Sequence, residues 1–317
     1  MGARMLISAF ERVKVAEAAV HSVLLDKRLI IVTGKGGVGK TTIATAIALA
    51  SARAGQRTLV CEVNARERIS GLLGRPETGA EITSLEENLW AVDVKPHEAM
   101  REYALMILKF ESIYNAVFEN RLVRYFLRFV PSLQEVVILG KILFHLKEKR
   151  PDGSWRFDRI VIDAPSTGHA ITFFSVPKVI LDTVPPGALA NDAKWMRELL
   201  IDPAVTAAVL VSLPEEMPIN ETIELAAALK DRVKIRPQAV VLNGFIPSRF
   251  TEGDLEQLPP GELHDLAAAH QARAKLSVSA AERLRALGYP LLIVPRLFTP
   301  TFGRAAIEEV AGHLGKS

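Results

Sequence analysis

The stretch from Leu29 to Thr42 constrains this chain more than any other. An apolar run, Leu29-Ile30-Ile31-Val32-Thr33, leads into Gly34-Lys35-Gly36-Gly37-Val38-Gly39-Lys40-Thr41-Thr42, and Ile43, Ala44, Ile47 and Ala48 follow at helical spacing. The string fits the P-loop pattern G-x-x-x-x-G-K-[ST], in which glycines let successive backbone N–H groups converge on polyphosphate oxygens. Gly34, Lys35, Gly36, Gly37, Val38, Gly39, Lys40, Thr41 and Thr42 are therefore the candidate nucleotide-binding residues. Lys40 would neutralise the β- and γ-phosphates and Thr41 would offer its hydroxyl to Mg²⁺. A helix from about Lys40 to Ala54 would add its positive N-terminal end. An ordinary glycine turn would not need a buried strand before it and an amphipathic helix after it.

That unit predicts a parallel α/β sheet, and the rest of the chain agrees. Strand candidates at Leu29–Thr33, Thr58–Val63, Leu89–Val94, Arg159–Asp163, Ala207–Ser212, Ala239–Leu242 and Pro290–Val294 alternate with helical segments in the βαβ manner. With 317 residues, 49% of them hydrophobic, the expectation is one domain over 1–317 with helices on both faces of a mostly parallel sheet. A helical subdomain is expected as an insertion at about 96–150. It holds Phe110, Phe118, Phe126, Phe129, Phe144, Met100 and Met106, and closes on the charged turn Lys147-Glu148-Lys149-Arg150-Pro151-Asp152-Gly153. A further helix is expected between Gly261 and Leu287.

Composition narrows the function by exclusion. A formal charge of +3 with no long Lys/Arg block gives no argument for a nucleic-acid partner. Cys61 is the single cysteine, which rules out a disulfide within the chain or a Cys-x-x-Cys metal site and suits a cytoplasmic location. Glu11, Lys14 and Glu17 interrupt the apolar pattern of the first 27 residues, so no export signal is expected there. Leu6, Phe10, Val13, Val20 and Leu24 instead suggest an amphipathic helix. No run of about 18 uncharged apolar residues suggests a membrane span.

A second lysine inside the loop, Lys35, makes the P-loop resemble that of the deviant-Walker ATPases. The resemblance implies that Lys35 reaches across a dimer interface to the partner's nucleotide and links assembly to hydrolysis. Phe157-Asp158-Arg159-Ile160-Val161-Ile162-Asp163 is an apolar strand ending in a carboxylate, and Asp163 would hold Mg²⁺. The next residues, through Ala164-Pro165-Ser166-Thr167-Gly168-His169, resemble the Asp-Thr-Ala-Pro-Thr-Gly-His switch of the arsenite-pump ATPase (ArsA) family and its relatives that deliver tail-anchored membrane proteins. Ser175-Val176-Pro177 and Leu213-Pro214-Glu215-Glu216-Met217-Pro218 extend the likeness. The resemblance implies that Asn243, closing the strand Val240-Val241-Leu242, contacts adenine; a strand-end turn residue is the other reading. Gly244-Phe245-Ile246 follows it where a guanine site would place a lysine and an aspartate, so ATP is favoured over GTP. Val294-Pro295-Arg296-Leu297-Phe298-Thr299-Pro300 resembles the adenine loop, with Pro295 and Phe298 as base-contacting candidates, although Phe298 would serve equally as a core residue. His169 lies in the switch, as a sensor or as a hydrogen-bonded structural histidine.

One departure matters. The family's Asp-Pro-Ala-His after the second strand is replaced by Asn64-Ala65-Arg66-Glu67, and Asn64 can position water but cannot accept its proton. Glu62 and Glu67 stand nearby as substitutes, with Glu62 on the same face of an extended strand as Asn64. The expected function is a Mg-dependent ATPase working as a nucleotide-driven dimeric switch, either a homodimer or a heterodimer with an ArsA-like paralogue. A hydrophobic helix or a membrane-associated protein is its expected client. The rivals are a hydrolytically impaired regulatory or scaffold subunit, and a membrane-positioning ATPase resembling MinD. The last would need a lipid-seeking C-terminal helix, whereas Ile307, Val310 and Leu314 with Glu308-Glu309 read better as packing on the domain.

Overall fold

The structure is a computed structural model and describes residues 26–63, 68–95, 99 and 133–314. The expected N-terminal helix, Asn64 and Glu67, and most of the 96–150 insertion lie outside the described residues. Among those described, eight strands form one sheet: β1 Leu29–Gly34, β2 Thr58–Val63, β3 Thr83–Glu86, β4 Leu89–Val94, β5 Arg159–Ser166, β6 Thr206–Ser212, β7 Pro237–Phe245 and β8 Leu291–Pro295. Their order is β3-β4-β2-β5-β1-β6-β7-β8. Every pairing is parallel except that of β3 with β4. The helices are α1 Lys40–Arg53, α2 Ile69–Leu72, α3 Leu133–Phe144, α4 Thr167–Thr183, α5 Ala188–Ile201, α6 Glu216–Ala228, α7 Glu252–Gln257, α8 Glu262–Arg285 and α9 Arg304–Leu314.

All seven strands expected from the sequence are present. The eighth, β3, was not expected: it is four residues long, polar, and sits at the sheet edge as the antiparallel arm of a hairpin whose turn holds Asn88 at φ 58°. A strand of that length with one buried residue leaves almost no periodic signal.

Both faces of the sheet are covered, which is why its central strands are continuously apolar. Leu29, Ile31, Leu59, Ile160, Ile162 and Leu210 face a core shared with α3, α4, α5, α6 and α8. Ile30, Val32, Val60, Val161, Val209 and Val211 face a second core built with α1 and α9. Val136, Val137, Leu139, Ile142 and Leu143 of α3 are buried in the first core, so this part of the 96–150 stretch packs directly under the sheet. On α9, Ile307, Val310 and Leu314 are buried in the second, with Glu308 paired to Arg53 and Arg304.

The chain leaves β1 for one side of the sheet, comes back to β5 beside β1, then proceeds to β6, β7 and β8 on the other side. The carboxyl ends of β1, β5 and β6 meet at this reversal, the place where open α/β sheets bind ligands.

Candidate functional site

The loop from Gly34 to Gly39 leaves the end of β1 and turns straight into α1. Close approach shapes it at both ends. A Cβ on Gly34 would lie 2.3 Å from the Val211 carbonyl oxygen of β6, and one on Gly39, at φ 93°, would lie 2.4 Å from Asn243 Nδ2. Val38 is buried in the second core and pins the loop's middle. No side chain caps α1, whose N-cap is Gly39, so its first-turn N–H groups remain available to an anion.

Lys40 donates to the backbone carbonyl of Lys35 at 3.0 Å, and burial holds its ammonium below the ordinary lysine range against the pull of Asp163. Thr41 Oγ1 donates to Asp163 Oδ2 at 2.6 Å. Burial pushes the Asp163 carboxyl up to about 6, opposed by the Thr41 hydrogen bond and the charges of Lys40 and Arg68. Its other oxygen, Oδ1, is buried with no hydrogen-bond partner. A carboxylate half satisfied by a threonine hydroxyl, beside a lysine, fits a hard cation that takes one or two protein oxygens and completes its shell from phosphate and water. Mg²⁺ is such an ion.

Three carboxylates line up across neighbouring strands. Glu62 of β2 is in register with Asp163 of β5 and with Asp93 of β4, and Asp93 pairs with Lys95 at 3.3 Å. Glu62 is 2% exposed and accepts from the backbone N–H groups of Arg68 at 2.9 Å and Ile69 at 3.2 Å, at the start of α2. Burial, with the two acids adding, pushes its carboxyl up to about 7 despite those two bonds.

Lys35 stands apart from Lys40. Its ammonium pairs with Glu221 Oε1 at 2.8 Å and also contacts Met217 Sδ, both on α6. His169 is exposed in the first turn of α4.

A separate cavity of about 310 Å³ opens beside the first turn of α1. Thr42, Asn243, Gly244, Pro295, Arg296, Leu297, Phe302 and Val310 line it. Asn243 Nδ2 donates to the Val38 carbonyl at 2.9 Å, so the amide ties β7 to the loop as well as facing the cavity. Phe298 is 75% exposed and lies outside that lining, 6.0 Å from the Arg296 guanidinium. Phe302 lines the cavity instead. The sequence reading missed it; its only signal is a second phenylalanine four residues on, past the Thr299-Pro300 turn. Lys40, Thr41 and Asp163 thus gather at one end of α1, with the Lys35 ammonium drawn off to α6, and Thr42, Asn243 and Pro295 line the neighbouring cavity.

The profile of the anion-transporting ATPases (ArsA) matches residues 27–185 and 187–258, a span that takes in the loop, Asp163 and Asn243. The chain belongs to the ArsA family. It is therefore an ATP-binding ATPase of that family. Among similar proteins, the ATPase BagA of Mycobacterium tuberculosis is 31% identical over 248 residues, 74% of this chain and 70% of that one. A putative arsenical pump-driving ATPase of Halobacterium salinarum is 29% identical over 71% of this chain and 36% of its own length. The arsenical pump-driving ATPase of Acidiphilium multivorum is 26% identical over 84% of this chain and 51% of its own. The matched part of this chain thus spans about half or less of those two pump-driving proteins.

Proposed function

We propose that this ArsA-family ATPase is a Mg-ATP-driven switch that closes as a dimer. The observation that carries the reading is the division of labour between the two loop lysines: Lys40 sits over the cradle beside Thr41 and Asp163, while the Lys35 ammonium is turned away to α6, partly exposed, where a second protomer would meet it. In this reading Thr41 and Asp163 hold Mg²⁺, and Lys40 with the N–H groups of α1 holds the β- and γ-phosphates. Thr42, Asn243 and Pro295 border the base. The bound ion would neutralise charge on the phosphate oxygens during hydrolysis. Lys35 would add positive charge from the partner's side, so that hydrolysis follows closure.

A second reading has its own support. Asn64 stands where the family has an aspartate, which favours slow turnover and a regulatory subunit paired with an active paralogue. Single-turnover hydrolysis by the wild type and by Asn64→Asp separates the two, because a restored general base contributes about 10²–10⁴-fold. A wild-type rate unchanged by the substitution would remove the impaired-subunit reading. The MinD-like alternative loses its support in α9, whose apolar face is buried against α1. A hydrophobic helix as client is suggested by the phenylalanine-rich 96–150 stretch. ATP-dependent capture of a tail-anchor peptide tests it, and capture that ignores the nucleotide would remove it. Analytical ultracentrifugation with Mg-ATP, Mg-ADP and no nucleotide tests the switch itself: dimer should accumulate with Mg-ATP alone.

A further inference from the structure

Glu221 lies in α6 four residues after Met217, so the two side chains share one face of the helix, and that face meets the phosphate loop. One Glu221 oxygen holds the Lys35 ammonium at 2.8 Å. The other accepts from Thr167 Oγ1 at 3.1 Å. Thr167 is the first residue of α4, directly after the strand that ends beyond Asp163. A single carboxylate therefore joins the phosphate loop, the segment following Asp163 and α6. Lys35 is the one loop group that the dimer reading requires to leave its own protomer, yet here its charge is matched within that protomer.

We propose that Glu221 is a positioning residue that holds Lys35 in its own protomer, and that release of this pair, coupled to movement of Thr167, gates the delivery of Lys35 to a second copy of the chain. The proposal rests on the dimeric-switch reading above for its consequence, while the hold itself belongs to the single chain.

The strength of the contact suits a gate. The side chains of Lys35 and Glu221 are 24% and 32% exposed, and a cavity of about 710 Å³, lined by Thr167, Gly168, Ile171, Glu221 and Leu225 among others, opens on the Glu221 side of the pair. The hydrogen bonds from Lys35 and Thr167 keep the Glu221 carboxyl below its ordinary range, so the carboxylate that faces Lys35 is ionised at neutral pH. A solvent-screened pair of this kind shifts an equilibrium by only about two- to five-fold. The phosphate groups of a partner's nucleotide carry more negative charge than one carboxylate, so the exchange runs toward the partner when nucleotide is present and back to Glu221 when it is absent. Met217, 63% exposed, sets its sulfur against the same ammonium.

Two measurements on the full-length chain test this. Reductive ¹³C-methylation of the lysines in the nucleotide-free protein gives resolved dimethylamine signals, with Lys35 assigned by its loss in Lys35→Ala. Glu221→Gln should move the Lys35 signal, and Thr167→Val should move it by less. A Lys35 signal indifferent to Glu221→Gln overturns the hold. In the second measurement, the Mg-ATP-dependent dimer constant of Glu221→Gln should exceed that of the wild type by about two- to five-fold, and the gain should vanish in the Lys35→Ala background. A gain that survives without Lys35, or no gain at all, overturns the gating. If the wild type forms no ATP-dependent dimer, the gating fails together with the switch reading, whereas the methyl signals still decide whether Glu221 holds Lys35. Unchanged melting curves for Glu221→Gln and Thr167→Val exclude misfolding as the cause.

Discussion

Glu62 carries the largest test of how individual side chains behave here. Its carboxyl is pushed up to about 7 from an ordinary 4.5, so between those values the unfolded chain has already lost a proton that the folded chain keeps. The contribution of this residue to stability is therefore fully present below about pH 4.5, falls as pH rises toward 7, and stays lost above it. Across that window the loss runs at about 1.4 kcal/mol for each pH unit. Glu62→Gln removes the titration and leaves one of the two N–H groups of Arg68 and Ile69 without its acceptor, a cost of about 1 kcal/mol. Urea unfolding should find the wild type more stable at pH 5 and the variant equal or better at pH 8. A gap that is the same at both pH values would dismiss burial as the cause. Cys61 gives a second test. It is fully buried, and burial raises its thiol well above the ordinary range, so it presents no thiolate to a soft metalloid. Arsenite should leave the ATPase rate unchanged; stimulation that disappears in Cys61→Ala would reverse that view. Lys40, Thr41 and Asp163 were legible in the sequence because a loop motif and a strand-end carboxylate fix their meeting by spacing. The capping role of Glu62 was not, since it depends on where Arg68 and Ile69 return to the sheet.

Strands and helices were more legible than the contacts between them. Both-sided burial writes an apolar run into each central strand, and seven of the eight could be read from it, whereas β3 owes its existence to pairing with β4 and to the Asn88 turn. The same holds for α9: its spacing of Ile307, Val310 and Leu314 predicted packing on the domain, but not that the surface it covers is α1, the helix that starts at the phosphate loop. That partnership has a measurable consequence. Ile307 is fully buried, and truncating such a side chain to alanine costs about 2–5 kcal/mol. Val310 of the same helix lines the cavity beside Asn243, so Ile307→Ala should lower unfolding free energy by that amount and weaken ATP binding as well. Leu276→Ala on α8, at a side chain 62% exposed, should change stability by no more than about 0.5 kcal/mol. Equal losses at the two sites would mean that α9 is not part of the core. The loop makes a sharper case: Gly39→Ala sets a Cβ against the Asn243 amide at a backbone angle alanine rarely adopts, and should abolish measurable ATP affinity while the far helices stay folded.

A sheet that brings two lysines to one loop and gives them different surroundings implies that nucleotide binding and assembly are separable functions of the molecule. Lys40 is half buried next to Asp163 and faces its own cradle, so Lys40→Ala removes a charge-assisted contact to phosphate, of the kind worth about 1.5–3 kcal/mol, and should weaken ATP binding roughly tenfold or more. Lys35 pairs with Glu221 on the rim, so Lys35→Ala should leave affinity within a few-fold. It should nevertheless remove the Mg-ATP-dependent dimer and most hydrolysis, since a positive group supplied in trans to a transferring phosphoryl group is typically worth about 10³–10⁵-fold in rate. The distinction was only half legible beforehand: the loop sequence announces two lysines, but their separation depends on α6 delivering Met217 and Glu221 to one of them, a long-range contact that no local pattern encodes. Calorimetric titration with ATP, run beside sedimentation of the same variants, reads the two functions independently. If both substitutions lowered affinity equally and left the dimer untouched, the rim lysine would be a second cradle group, and assembly would have to be driven from another surface.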